Sequence, residues 1–589
     1  MTLIEKFLGI IAVGSLLAGC SSEHRAPQSA SSIAVTADMI VTGDNIITMD
    51  GSTPEAVAVA GEKIIATGSR ADVMSMQSEK TRIVELGDRA LLPGFIDAHG
   101  HISLQARFID MQNVSSPPVG EAKTIADVQR LLRDYIARNN FPAGTPVIGY
   151  GYDESLLAEN RHPVRQELDA VSTNHPIVLL HVSLHLASVN SAALAISGYD
   201  EKTPDLSGGV IRRETGTQIP NGVLEETAAQ RIMFGLIANP PGLEDKMRRA
   251  MLHYASYGYT TAQDGAATME DVAVMREAAA KEPLPIDVMA YPLVLRLTPE
   301  QKKTIKAEPY VGGFRIAGLK HVLDGSIQGK TGFLGHPYVE PPKDGRADYR
   351  GYPMISAKLF QENLTPYIRR AVPMLVHSNG DAAIDMMLDG LEKALDGIEI
   401  KDHRAVIIHA QMMREDQLDR TKKLGAIPSY FSAHPFYWGD WHRKILGEER
   451  ASRISPIRST INKGIAFTIH NDAPVVPPDA MRLIWATVNR ETRSGHVLGT
   501  DQKATVMEAL YATTMGAAFQ AFEENSKGSI TVGKQADLVI LEKNPLTIDP
   551  GAIDDIKILE TISRGRSVYK SAEFDAPALM NDTSIGGKD

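Results

Sequence analysis

The chain has 589 residues, 43% of them hydrophobic and 23% charged, and its 61 basic against 72 acidic side chains leave a net charge of −11. That is too long for one small core, and with no basic run the balance gives nucleic acid no footing as a partner. The single cysteine, Cys20, rules out an internal disulfide and a thiolate metal site.

In chain order, the first element is an apolar stretch from Phe7 to Leu17 behind a short polar start containing Lys6. It is too short to span a bilayer and has the layout of a secretory signal over residues 1–19. Leu17-Ala18-Gly19-Cys20 resembles a bacterial lipobox. This implies lipidation of Cys20, export, and anchoring to the cell envelope through that lipid alone, at the outer membrane facing the periplasm in a Gram-negative cell. A polar Ser/Ala/Pro tether follows over 20–35.

Residues 36–90 read as short strands, Met39-Ile40-Val41, Ile46-Ile47-Thr48, Ala56-Val57-Ala58-Val59 and Lys63-Ile64-Ile65-Ala66, divided by Gly, Asn and Asp turns. A matching set occupies 526–570, with Gly528-Ser529-Ile530, Ala536 to Leu541 and Ser567-Val568-Tyr569, ahead of a tail at 571–589. Between these ends, over 91–525, apolar runs end in polar or histidine-bearing turns and alternate with helical segments. They include Leu91 to Ala98, Ile177 to His181, Pro373 to His377, Ala405 to His409 and Ala466 to His470, with a large insertion over about 102–255. Alternating strands and helices predict an α/β fold with a parallel sheet covered on both faces. In a (β/α)8 barrel the chemistry sits where the strands end.

His99-Gly100-His101 closes the first of those runs. Side chains alternate along a strand, so both rings face one way, about 7 Å apart, and can close on one ion if the chain bends at Gly100. His377, His409 and Asp472 lie at or just beyond the ends of later runs. Imidazoles with a carboxylate suit zinc or another divalent first-row metal.

Taken in order, Pro93-Gly94-Phe95-Ile96-Asp97-Ala98-His99-Gly100-His101, Leu319-Lys320 with Asp324-Gly325-Ser326, His377 with Gly380-Asp381, His409-Ala410-Gln411 and Asn471-Asp472-Ala473-Pro474 resemble the amidohydrolase superfamily. Within it they look like the amidohydrolase 3 branch, the YtcJ-like and N-substituted formamide deformylase-like proteins. Val189 to Leu194 and Lys527 to Val539 match as well. The sequence departs from that pattern at Ser378-Asn379 and His470-Asn471, none of them an expected ligand, and both departures are expected to alter the cavity.

The resemblance implies a distorted TIM (β/α)8 barrel with a small β-sandwich built from both chain ends. It implies one or two divalent ions, zinc foremost, with His99 and His101 on the more buried ion and His377 and His409 on the second. Lys320 would be an N6-carboxylysine bridging them, its neutral amine made reactive by burial and nearby cations. Pairing of Lys320 with Asp324 or with substrate is the alternative. Asp472 would be both ligand and catalytic base, accepting a proton from water and returning it to the leaving nitrogen, with Asp324, Asp381 and Asp264 as substitutes.

For substrate binding the reading points to His185 in the insertion as part of a lid, to Lys330 for an anionic group, and to His434 and Trp438 in an aromatic loop. His470 is expected to bond substrate or to orient a ligand. The implied activity is hydrolysis of a non-peptide C–N bond in an N-acyl or N-substituted small-molecule amide. A cyclic amide, carbamate or lactone hydrolase, and a non-catalytic ligand-binding lipoprotein, are the competing readings, and a homodimer is among the assemblies allowed.

Overall fold

Apolar runs too short for helices and bounded by turns become parallel strands. The computed structural model describes residues 36–574 apart from 238–239, 343–345 and 400–401; the signal segment, Cys20 and most of the tail lie outside them. Eight strands follow one another in chain order: β1 (Phe95–Ile96), β2 (Tyr259–Ala267), β3 (Asp287–Pro292), β4 (Leu319–Val322), β5 (Met374–Ser378), β6 (Val406–His409), β7 (Ile427–Tyr430) and β8 (Thr468–Ile469). Parallel pairing joins β1, β2 and β3 in one sheet, with the short strand Phe314–Ile316 added on the far side of β3, and β4 to β8 in another. A parallel bridge from Leu293 to Lys320 links the end of β3 to β4. Beyond β8 the Asp472 N–H donates to the His99 carbonyl at 3.2 Å and the His101 N–H to that of Ala473 at 2.7 Å, so the last and first strands meet past their ends.

Alternation along these strands makes two buried faces. Ile96, Met289, Tyr291, Leu375, Ile408 and Ile427 share one apolar cluster. Phe95, Val288, Ala290, Met374, Val376 and Ile407 belong to a larger one with the helices. The helix Asp381–Leu395 shows why it covers that outer face. Ala383, Ile384, Met387, Leu388, Leu391 and Ala394 recur with the helical period and are all buried. Each fully buried aliphatic chain of this kind contributes about 1.5–3 kcal/mol.

The insertion builds a six-stranded sheet of its own, in the order Gly209–Arg213, Pro220–Glu226, Leu186–Val189, Ile177–His181, Val147–Tyr152, Gln112–Asn113. The Ile177–His181 run, expected among the barrel strands, belongs here. The helices Ile102–Phe108 and Leu243–Ser256 pack on each other and join the core of β1 and β2 through Ile102, Ala106, Met251 and Tyr254.

The chain ends supply two four-stranded sheets. One holds Lys63–Gly68, Ala56–Ala60, Met39–Thr42 and Arg82–Glu85; the other holds Arg566–Lys570, Ile558–Ser563, Leu538–Leu541 and Ala90–Pro93. Val41, Val57, Val59, Leu91, Leu538, Ile540 and Ile562 share one cluster between them. The run expected as one strand from Leu91 to Ala98 is thus divided at Gly94: its first half pairs antiparallel with Leu538–Leu541, and its second half is β1. Two expected strands are not formed. Ile46-Ile47-Thr48 makes only a bridge from Ile46 to Leu91, and the segment around Gly528 to Ile530 hangs from it by the Ile530 N–H to the Thr48 carbonyl. Among the described residues no helix is long and apolar enough to cross a membrane.

Candidate metal centre and active site

The ends of β1, β4, β5, β6 and β8 bring His99, His101, Lys320, His377, His409 and Asp472 together. His99 and His101 lie just past β1, with ring centroids 5.0 Å apart. Gly100 is required by space. A Cβ there would fall 2.3 Å from Asp97 Oδ2 and 2.7 Å from the Tyr254 hydroxyl. Gly265 of β2 serves the same ring pair, since a Cβ on it would stand 2.3 Å from His99 Cε1. Strict alternation would send the His409 ring to the helix-covered face of Ile407. Left-handed backbone at His409 (φ 71°) and Ala410 (φ 47°) redirects it, and Asp472 is also left-handed (φ 58°). Such conformations cost of order 1–3 kcal/mol and persist where surrounding structure enforces them, commonly at functional sites.

The imidazoles are tied from behind. Gln263 donates its amide to the Ala98 carbonyl, so its Oε1, 2.7 Å from His99 Nδ1, accepts that proton and leaves His99 Nε2 facing inward. His377 Nδ1 is 3.2 Å from Asp324 Oδ1, and Asp324 is fixed by the N–H groups of Phe333, Asn379 and Gly380. The Asn379 amide also comes within 3.4 Å of His377 Nε2. His409 Nδ1 is 3.1 Å from His470 Nε2, and His470 Nδ1 is 2.9 Å from the Ser429 hydroxyl.

Inside this frame Lys320 Nζ is 2.9 Å from His99 Nε2. Asp472 Oδ1 is 3.1 Å from His101 Nε2 and 3.5 Å from His99 Nε2, and Oδ2 is 3.9 Å from His409 Nε2. Burial drives the basicity of His99, His377 and His409 well below the ordinary histidine value, which keeps them neutral. Burial also lowers Lys320 to about 7, against a partial offset from Asp472. Burial alone would raise the Asp472 carboxyl, yet His101, His470 and Lys320 together hold it below its usual range. These donors fit a divalent cation. Ligand atoms of His99, His409 and Asp472 lie within 4.8 Å of one another, and Asp472 Oδ1 is buried with no hydrogen bond of acceptable geometry.

All of the cluster but the buried His99 lines the floor of a cavity of about 500 Å³ whose wall includes Leu184, Met233, Leu293, Leu295, Met354 and Ile355. His185 faces it, its ring 5.1 Å from that of His377 and its Nδ1 2.7 Å from Glu226.

The other expected substrate residues do not meet here. Lys330 is apart from the cavity, 3.7 Å from Glu340 and over the Trp441 ring. The aromatic loop is instead a helix, His434–Leu446, that buries His434 and Trp438 against Phe431. The Trp438 indole is spent on Asp153 Oδ2 at 2.5 Å. His470 reaches His409 and is buried away from the cavity, so it can orient the His409 ring and does not meet a substrate. Of the substitute bases, Asp264 accepts from Ser103, Asp381 from Gly335 and Arg414, and Asp324 holds His377.

Sequence reasoning missed Gln263, Gly265, Ser429 and Glu226. They act on residues far away in the chain, and nothing in their own neighbourhoods marks them.

Similarity to known proteins fits this geometry. The chain is 27% identical to N-substituted formamide deformylase of Arthrobacter pascens, over 90% of this chain and 98% of that protein. It is 26% identical to the putative amidohydrolase YtcJ of Bacillus subtilis, over 90% and 99% respectively. Its fold matches the crystal structure of an uncharacterized metal-dependent hydrolase from Pyrococcus horikoshii with a TM-score of 0.68 at 21% identity, covering 87% of this chain and 99% of that one. Residues 82–569 match the profile of the amidohydrolase family, and the chain belongs to that family.

Proposed function

We propose that this protein is a metal-dependent hydrolase of a non-peptide C–N bond in an N-acyl or N-substituted amide, acting where the eight strands close as a distorted (β/α)8 barrel beside a β-sandwich made from both chain ends. The observation that carries the reading is the convergence of His101, Lys320, His377, His409 and Asp472 on one cavity floor with His99 directly beneath, three of these positions being reached through an unusual backbone or a glycine-sized gap. The N-substituted formamide deformylase of A. pascens, similar along its whole length, supports the choice of bond.

In this reading His99, His101, His377, His409 and Asp472 would hold one or two divalent ions, zinc foremost, and Lys320, carboxylated on its Nζ by carbon dioxide, would add a further anionic ligand. A divalent cation supplies acidified water and polarises a carbonyl. Neutral imidazoles and a reactive, buried amine are the states such a site needs, and burial produces both. Asp472, held ionised, takes the proton of the attacking water and returns it to the departing nitrogen. Burial would lower His185, but the charge and hydrogen bond of Glu226 raise it, so its ring offers a proton to an acyl oxygen from the insertion side. The apolar wall receives the organic substituent. Export and lipid anchoring at Cys20 complete the proposal.

The test is metal analysis of the purified protein followed by an amide screen with Asp472→Asn as control. Bound divalent metal and hydrolysis that falls on the order of 10²–10⁴-fold in the variant are expected. Bound metal without turnover of any acyl compound sinks the reading.

A further inference from the structure

A second convergence of histidine and carboxylate lies in the insertion. Val147–Tyr152 and Ile177–His181 are neighbouring parallel strands, and their carboxyl ends bring Asp153, Glu154 and His181 together. His162 joins them from the following loop. All four are at most 9% exposed, and none lines the main cavity.

Ligand atoms of Asp153, Glu154 and His181 lie within 4.8 Å of one another, with His162 at the edge of the group. His181 Nε2 is 2.6 Å from Glu154 Oε2, an ion-pair contact whose alignment falls short of a hydrogen bond, and both atoms are buried. His162 Nε2 faces the other carboxylate oxygen at 3.7 Å, beyond hydrogen-bond reach. Each ring is anchored at its far nitrogen, His162 Nδ1 by the Tyr152 hydroxyl at 3.2 Å and His181 Nδ1 by the Ser183 hydroxyl at 2.7 Å. The Ser183 N–H donates to His181 Nδ1 at 3.2 Å. Nδ1 is thus an acceptor, and a cation at Nε2 would take the place of the ring proton there. Asp153 is oriented by Trp438 and by the Ser155 N–H and hydroxyl. The neighbouring cations have carboxylates of their own, Arg212 with Glu225 and Lys330 with Glu340.

We propose that Asp153, Glu154, His162 and His181 form a second divalent-cation site, distinct from the strand-end cluster. Imidazole with carboxylates is a donor set that suits zinc, and their convergence in a buried place without a well-aligned hydrogen bond between His181 and Glu154 is what a cation would satisfy. The site is also placed to shape the cavity. Ser183 Oγ, which anchors His181, accepts the His185 N–H at 3.2 Å, so an ion here stiffens the turn that sets His185 beside His377.

The test uses the whole chain loaded with zinc alone. A zinc-edge anomalous map of the unaltered protein is expected to show density between Glu154 and His181, separate from density at His99 and His409. Glu154→Gln, and independently His162→Gln, are each expected to carry one zinc fewer per chain while keeping the density at His99. Should either variant fail to fold, the map of the unaltered protein still decides. No density at Glu154 in that map, or undiminished zinc in a folded variant, overturns the proposal and leaves an ion pair of His181 with Glu154. Absence of density at His99 alone would instead count against the function proposed above.

Discussion

Two groups of histidine and carboxylate lie at the carboxyl ends of parallel strands in this molecule, and they differ in access. The group at β1, β4, β5, β6 and β8 lies at the floor of a cavity of about 500 Å³, whereas the group at Glu154 and His181 is shut between the insertion sheet and the His434–Leu446 helix. Only the first includes an amine, Lys320, whose basicity burial has lowered to about 7. Only the first also bends its backbone into the left-handed region at its ligand positions, at His409 and Asp472. Residue type alone therefore does not mark a reactive site. What sets the first group apart is entry for a substrate, an amine of lowered basicity and an enforced backbone.

The comparison is broken most severely at Lys320. In Lys320→Ala the open site is expected to lose metal, with activity falling by more than the roughly 100-fold seen when a residue that merely orients a ligand is removed, and short carboxylic acids restoring part of it. Full metal content in that variant, read by elemental analysis, means that Lys320 is no ligand. A smaller effect is expected from His470→Ala, which frees the His409 ring from behind. Metal affinity at the open site should fall by about 10–100-fold in a chelator titration, and the Glu154 group should be untouched; an unchanged affinity would mean the His470 contact orients nothing.

The third effect is the most gradual, and concerns metal-free protein. Lys320 titrates near 7 when folded and near 10.4 in an unfolded chain, so between those values the unfolded form binds more protons. Stability must then rise with pH across that window, by at most about 1.4 kcal/mol per pH unit from this one group. Urea unfolding at several pH values should show the rise in the unaltered protein and a flatter profile in Lys320→Met. Equal slopes would show that the folded lysine keeps its ordinary basicity.

How much of this was legible depends on the range over which each residue acts. His99, His101, His377, His409 and Asp472 each follow an apolar run, a local pattern that the sequence displays openly. The parallel strands and the paired sheets at the chain ends follow from the same runs. The inward turn of His409 was not legible, because alternation alone assigns it to the wrong face. Nor was the fate of Trp438 and His434: an aromatic-rich stretch reads equally well as a cavity wall or as packing, and here Pro435 at the start of a helix and burial against Phe431 decide for packing. Gln263 and Gly265 had no local signal, because their work is done on a ring contributed by a distant strand.

The division of the first apolar run at Gly94 bears on the order in which the molecule can be made. Ala90–Pro93, the segment leading directly to His99 and His101, finds its strand partner in Leu538–Leu541, and the Gly94 N–H is received by the Asp537 carbonyl. A growing polypeptide therefore presents its first two candidate ligands long before it has synthesised the strand that steadies them. A chain cut short before residue 537 would carry every proposed ligand without the clasp that holds the segment leading to the first pair.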